Sequence, residues 1–73
     1  MKDLKRSLSI AGHRTSLSLE AEFWESLKML AARDGKSSAA LIAEIDTARG
    51  QRNLSSAVRL HVLAALKAQL PKI

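Results

Sequence analysis

The sequence predicts a mostly α fold in which one N-terminal strand, or a short hairpin, leads into three helices and a second copy of the chain completes the assembly. Three observations carry that prediction. Polar and apolar residues alternate from Leu8 to Leu19 with a break at Ala11 and Gly12, the spacing switches to a helical period at Glu20, and Ser37 and Asn53 divide the remainder into two further helices. Length then bears on assembly. A chain of 73 residues makes one domain, and a domain this small buries only about 60% of the surface its unfolded chain exposes, so a partner subunit is a natural source of further core.

The strand comes first. In Arg14, Thr15, Ser16, Leu17, Ser18 and Leu19 the period is two, which sends Thr15, Leu17 and Leu19 inward and Arg14, Ser16 and Ser18 outward. Gly12 marks either a tight turn between two alternating runs or the end of an arm, and both remain open. From Glu20, Phe23, Trp24, Leu27, Leu30 and Ala31 recur on one helical face while Glu22, Glu25, Lys28 and Arg33 take the other. Ser18 or Leu19 is expected to open this helix, and Asp34-Gly35 to close it with a left-handed glycine. Ser37 is expected to cap a second helix built on Leu41, Ile42 and Ile45, which ends at Arg49-Gly50. Asn53 is expected to cap a third, running to about Gln69, whose stripe of Leu54, Ala57, Val58, Val62, Ala65 and Leu66 is widened by Leu60, Leu63 and Leu70. That width predicts a well-buried helix. A lone strand would leave its backbone groups unpaired, and an antiparallel copy from a second chain would satisfy them. The expected dimer core is Leu17, Leu19, Phe23, Trp24, Leu27, Leu41, Ile42 and Ile45.

Charge and composition narrow the classes of function. The net charge is +5, with Lys2, Lys5, Arg6 and Arg14 against Asp3 in the first 19 residues, and a dimer would double it and attract polyanions. Cysteine is absent, which removes disulfides and thiolate chemistry and suits a reducing cytoplasm. His13 and His61 have no cysteine partners, so neither a metal nor another cofactor is expected. His13, on the inward phase, is expected at the edge of the core, and His61 half-buried beside the third helix. No apolar run approaches the roughly 18 residues of a membrane span, and the N-terminus has no signal-peptide apolar stretch. The expectation is a soluble, unexported, non-membrane protein. The DGKS run at Asp34 is not a phosphate-binding loop, because Leu30 stands where that motif requires glycine. No nucleophile elbow or paired carboxylates appear, and an enzyme is not expected.

The run RTSLSLEAEFWESLKMLAARDGKSSAALIAEI, residues 14–45, resembles the ribbon-helix-helix family of prokaryotic DNA-binding proteins. It does so in the order of alternating strand, acidic helix start, Gly-basic-Ser turn and Leu/Ile second helix. GHRTSLSLEAEFW and NLSSAVRL are also similar to a bacterial branch described as predicted DNA-binding proteins of unknown role. The resemblance implies an intertwined homodimer whose intermolecular antiparallel ribbon enters the major groove of double-stranded DNA. Carried onto this chain, it makes Arg14, Ser16 and Ser18 base readers, and Lys36, Ser37 and Ser38, at the N-terminus of the second helix, a phosphate site. Lys5 and Arg6 would add phosphate contacts from a basic arm together with Lys2. Family members often have proline where this chain has Glu20, and that carboxylate is expected to turn aside from DNA. The domain plan is then residues 1–12 as arm or first hairpin strand, 13–48 as the ribbon-helix-helix core, and 49–73 as third helix and C-terminus.

The function so implied is that of a cytoplasmic transcriptional repressor, a homodimer that can assemble further on DNA. The alternative is an antitoxin or other protein-interaction module, since the family also embraces antitoxins. In that case the outer face of the third helix, with Arg52, Arg59 and Lys67, would meet the partner protein.

Overall fold

The computed structural model describes residues 3–10 and 12–71. Lys2 lies outside the described residues. Two strands, β1 (Asp3–Ile10) and β2 (His13–Glu20), form an antiparallel hairpin, followed by the helices α1 (Ala21–Arg33), α2 (Ser38–Ala48) and α3 (Leu54–Gln69). The hairpin lies on the helices, with α2 against β1 and both α1 and α3 against β2. Gly12, at a φ of 82° that costs glycine little, sits in the two-residue connection and settles the choice between turn and arm in favour of the turn.

This hairpin changes the reason for expecting a second chain. β2 finds its ladder within its own chain, from Asp3 opposite Glu20 to Ile10 opposite His13. Each strand of a two-stranded sheet keeps one edge open, so an intermolecular pairing remains geometrically available along β2 but is not needed to complete it.

Alternation sorts the hairpin's two faces. Leu17 and Leu19 are fully buried on the helix side and Ile10 nearly so. There they meet Trp24, Leu27 and Ala31 of α1, Leu41, Ile42 and Ile45 of α2, and Ala57 and Val58 of α3 in one core. Of the expected dimer core, all but the half-buried Phe23 are therefore buried inside a single chain. Two expectations about histidine fail. His13 is exposed, because it stands at the turn end of β2, where burial of that strand has not begun. His61 is exposed as well, in a shallow depression beside Ile45, Arg49 and Leu60.

Helix boundaries follow local chemistry. β2 runs straight into α1, so neither Ser18 nor Leu19 opens the helix; Glu20 does, in extended geometry and without a side-chain capping bond. At the far end the Lys36 N–H donates to the Ala31 carbonyl at 3.0 Å and the Gly35 N–H to that of Ala32 at 3.1 Å, around Gly35 at φ 69°. That pair of bonds is a Schellman stop. Ser37 Oγ accepts from the Ala40 N–H at 3.1 Å and Asn53 Oδ1 from the Ser56 N–H at 2.8 Å, caps worth about 1 kcal/mol each.

The third helix is less buried than its stripe suggested. Ala57, Val58 and Val62 are buried, but Leu63, Leu66 and Leu70 are 47%, 56% and 61% exposed. At 3.6 residues per turn a stripe that wide covers more of the helix circumference than α1 and α2 of one chain can reach. The remainder faces outward. Beside it, Met29 and Leu30 of α1 and Val62 and Leu66 of α3 line a groove of about 300 Å³.

Candidate nucleic-acid interface

The side of the hairpin turned away from the helices is a small exposed face with two columns of side chains. Residues directly opposite in an antiparallel pair project to the same side, and the register places Ser9 beside Arg14, Ser7 beside Ser16 and Lys5 beside Ser18. All are exposed except Ser18, which is half-buried. The three expected base readers thus share one face, and Lys5 joins them. Ser7, Arg14, Thr15 and Ser16 border a shallow cleft of about 130 Å³.

Ser7 and Ser9 join this face although the expectation from the sequence did not include them, and the signal for them is present. The alternation through Leu8, Ser9 and Ile10 ahead of Gly12 has the same period as β2, and closing the hairpin on Gly12 brings those serines beside Ser16 and Arg14.

Arg6 and Lys5 part company. Opposite Leu17 in the register, Arg6 takes the inward phase, and its guanidinium lies 5.1 Å from the centre of the Trp24 ring. A cation there gains from the ring's negative face while its stem shields the indole from water. The structure does not bring Arg6 to the face that Lys5 occupies.

Glu20 is the one described acidic side chain in phase with the outward residues of β2, and it is drawn off. Its two carboxylate oxygens accept from Arg59 Nε and Nη2 at 2.9 and 3.3 Å, and the same guanidinium lies 5.9 Å from the Phe23 ring centre. This fork ties the β2–α1 junction to α3 and neutralises a charge that would otherwise repel an anion. It also removes Arg59 from the outer face of α3 where it was expected. Arg14, by contrast, pairs with no carboxylate among the described residues. Its fork of donors stands free.

The turn before α2 is more occupied than the sequence suggested. Lys36 Nζ pairs with Glu44 at 2.5 Å across one face of α2, Ser37 is already a cap, and Ser38 is half-buried in the first turn. The N–H groups of that turn still carry the positive end of the helix dipole, with no acidic residue in the first turn to oppose an anion.

Chemically, the outward face offers hydroxyls that donate or accept and an arginine fork that matches guanine O6 and N7. Two strands lie about 4.8 Å apart, and the major groove of B-DNA, about 12 Å wide, admits such a ribbon. Among the described residues no helix is long and apolar enough to cross a membrane.

A family model described as a ribbon-helix-helix domain matches residues 4–66, the hairpin and nearly all of the helical part. Neither characterised proteins nor solved structures return a match. Ribbon-helix-helix domains are typically non-enzymatic modules that generally bind DNA, as dimers. With a two-stranded ribbon in front of its helices and a match across most of its length, the chain belongs to the ribbon-helix-helix family.

Proposed function

We propose that the chain binds double-stranded DNA sequence-specifically as a homodimer, laying the outward face of its ribbon in the major groove, and that it acts as a transcriptional repressor in the bacterial cytoplasm. The observation that carries this reading is the free Arg14 guanidinium on an exposed ribbon face whose one described carboxylate is bound by Arg59. The net charge of +5 supplies long-range attraction. Lys5, with Lys36, Ser37 and Ser38 at the start of α2, would hold phosphates and set the register of the protein on the duplex.

Binding is expected to weaken steeply with salt, with log K falling against log salt at a slope of about −0.9 for each phosphate neutralised. Fluorescence anisotropy on labelled duplexes across a salt series checks it. A salt-insensitive complex, or none with any duplex, would end this reading.

Support for the homodimer is the apolar surface one chain leaves uncovered: Met29 on α1, Leu63 and Leu66 on α3, and Leu70 just past its end. Contiguous apolar surface of this kind on a small domain marks an interaction site. Sedimentation equilibrium at micromolar concentration is expected to give a dimer, and Leu66→Glu to shift it toward monomer. A wild-type monomer would sink the homodimer. A Leu66→Glu chain that stays dimeric would move the contact to the open edge of β2 and leave the α1–α3 groove for a different protein. That outcome favours the second reading, an antitoxin or other interaction module.

A further inference from the structure

We infer that the depression between the end of α2 and the first half of α3 is a binding site for a small aromatic carboxylate. It lies away from the ribbon, and the inference does not depend on the DNA-binding reading.

The depression encloses about 450 Å³, a size suited to a small organic ligand. Its floor is apolar, made of Ile45 and Ala48 from α2 and Ala57 and Leu60 from α3. Ile45 and Ala57 belong to the core and are nearly covered, whereas Ala48 is exposed and Leu60 is 39% exposed. Covering that remainder rewards a ligand with an apolar body over a bare ion.

The rim is basic. Arg49, Arg52 and His61 stand around the floor, and the one carboxylate bonded to them is Asp46, which Arg49 already holds. Arg49 Nε donates to Asp46 Oδ1 at 2.6 Å and its Nη1 to the Arg52 carbonyl at 2.5 Å. Those bonds fix the Arg49 guanidinium before a ligand arrives, which lowers the ordering cost of binding. Arg52 is exposed, and its side chain enters no ion pair among the described residues. Two guanidinium charges against one carboxylate leave the rim positive, so its complement is an anion. A guanidinium matches a planar carboxylate with two parallel N–H···O bonds, and its flat face stacks on an aromatic ring. An aromatic carboxylate thus uses rim and floor together. Phosphate would satisfy the cations and leave Ala48 and Leu60 uncovered.

The site is compatible with the homodimer. Along α3 each residue turns the helix by about 100°, which puts Ala57 and His61 about 180° and about 140° around it from Leu66. A second copy seated about Leu66 therefore leaves the depression open.

NMR titration of the isotope-labelled full chain with naphthoate tests the inference, with naphthamide as the neutral counterpart and inorganic phosphate as the bare anion. Naphthoate is expected to saturate at millimolar concentration and to shift the amide signals of Ala48, Arg52, Leu60 and His61. Naphthamide, which lacks the charge-assisted bonds, is expected to bind at least about ten-fold more weakly. Arg52→Gln is expected to weaken naphthoate about ten-fold. Lys28→Gln removes the same charge from an exposed position on α1 and is expected to change nothing. Circular dichroism confirms that each variant is folded. Naphthoate that fails to saturate, shifts signals only elsewhere, or binds Arg52→Gln as well as wild type would overturn the inference. Equal binding of naphthamide would also overturn it, by making the depression a merely apolar contact, and tighter binding of phosphate would do so by making it a bare anion contact.

Discussion

Leu27→Ala is expected to leave the chain largely unfolded at 25 °C. Leu27 is fully buried between the hairpin and the helices, in the same core as Leu17, Leu19, Ile42 and Val58. Removing its branched end costs the transfer free energy of the lost carbons together with a cavity that close-packed neighbours cannot fill, about 2–5 kcal/mol in all. A single core in a domain of this size rarely supplies more than about 3–5 kcal/mol, so the loss is comparable to the whole stability. Lys28, the next residue on the same helix and exposed, provides the contrast: Lys28→Ala is expected to stay within about 0.5 kcal/mol of the wild type. Urea titration followed by far-ultraviolet circular dichroism checks both. A Leu27→Ala midpoint close to the wild type would mean that the core of the single chain is not what holds it folded.

Arg14→Ala is expected to remove about 1–3 kcal/mol of affinity for the preferred duplex and to relax one base position. Its guanidinium is exposed and has no carboxylate partner among the described residues, so no ion pair among them is lost with it. The loss is therefore a statement about DNA. Competition binding against duplexes altered at each position separates the outcomes. A loss confined to the preferred sequence makes Arg14 a base reader, whereas an equal loss on all sequences, with a shallower salt slope, makes it a phosphate contact.

The extent to which the site was legible can be traced residue by residue. Arg14, Ser16 and Ser18 stood out because period two assigns a face without knowledge of the partner strand. Ser7 and Ser9 did not, because their place depends on the register, and register follows from whether Gly12 closes a hairpin. Charge alone puts Arg6 with Lys5 in a basic arm; once both lie in a strand, adjacent residues must point to opposite faces, and Arg6 goes to Trp24. For His13 and His61 a side chain's phase was known but not how far the covering helices extend. The Ser37 and Asn53 caps and the Gly35 stop were legible because each depends on residues within one turn.

By itself the sequence determined the order of the elements, the caps of α2 and α3 and the stop of α1, the face each residue of β2 takes and the excess of positive charge. All of these follow from local periodicity, capping and composition, which act over a few residues. Tertiary structure alone decided where distant groups meet: Arg59 on Glu20, 39 positions away, Ser9 beside Arg14, and a leucine face on α3 that one chain leaves bare. Those outcomes depend on which surfaces compete for the same space, and a surface is covered only if the rest of the chain is long enough to reach it.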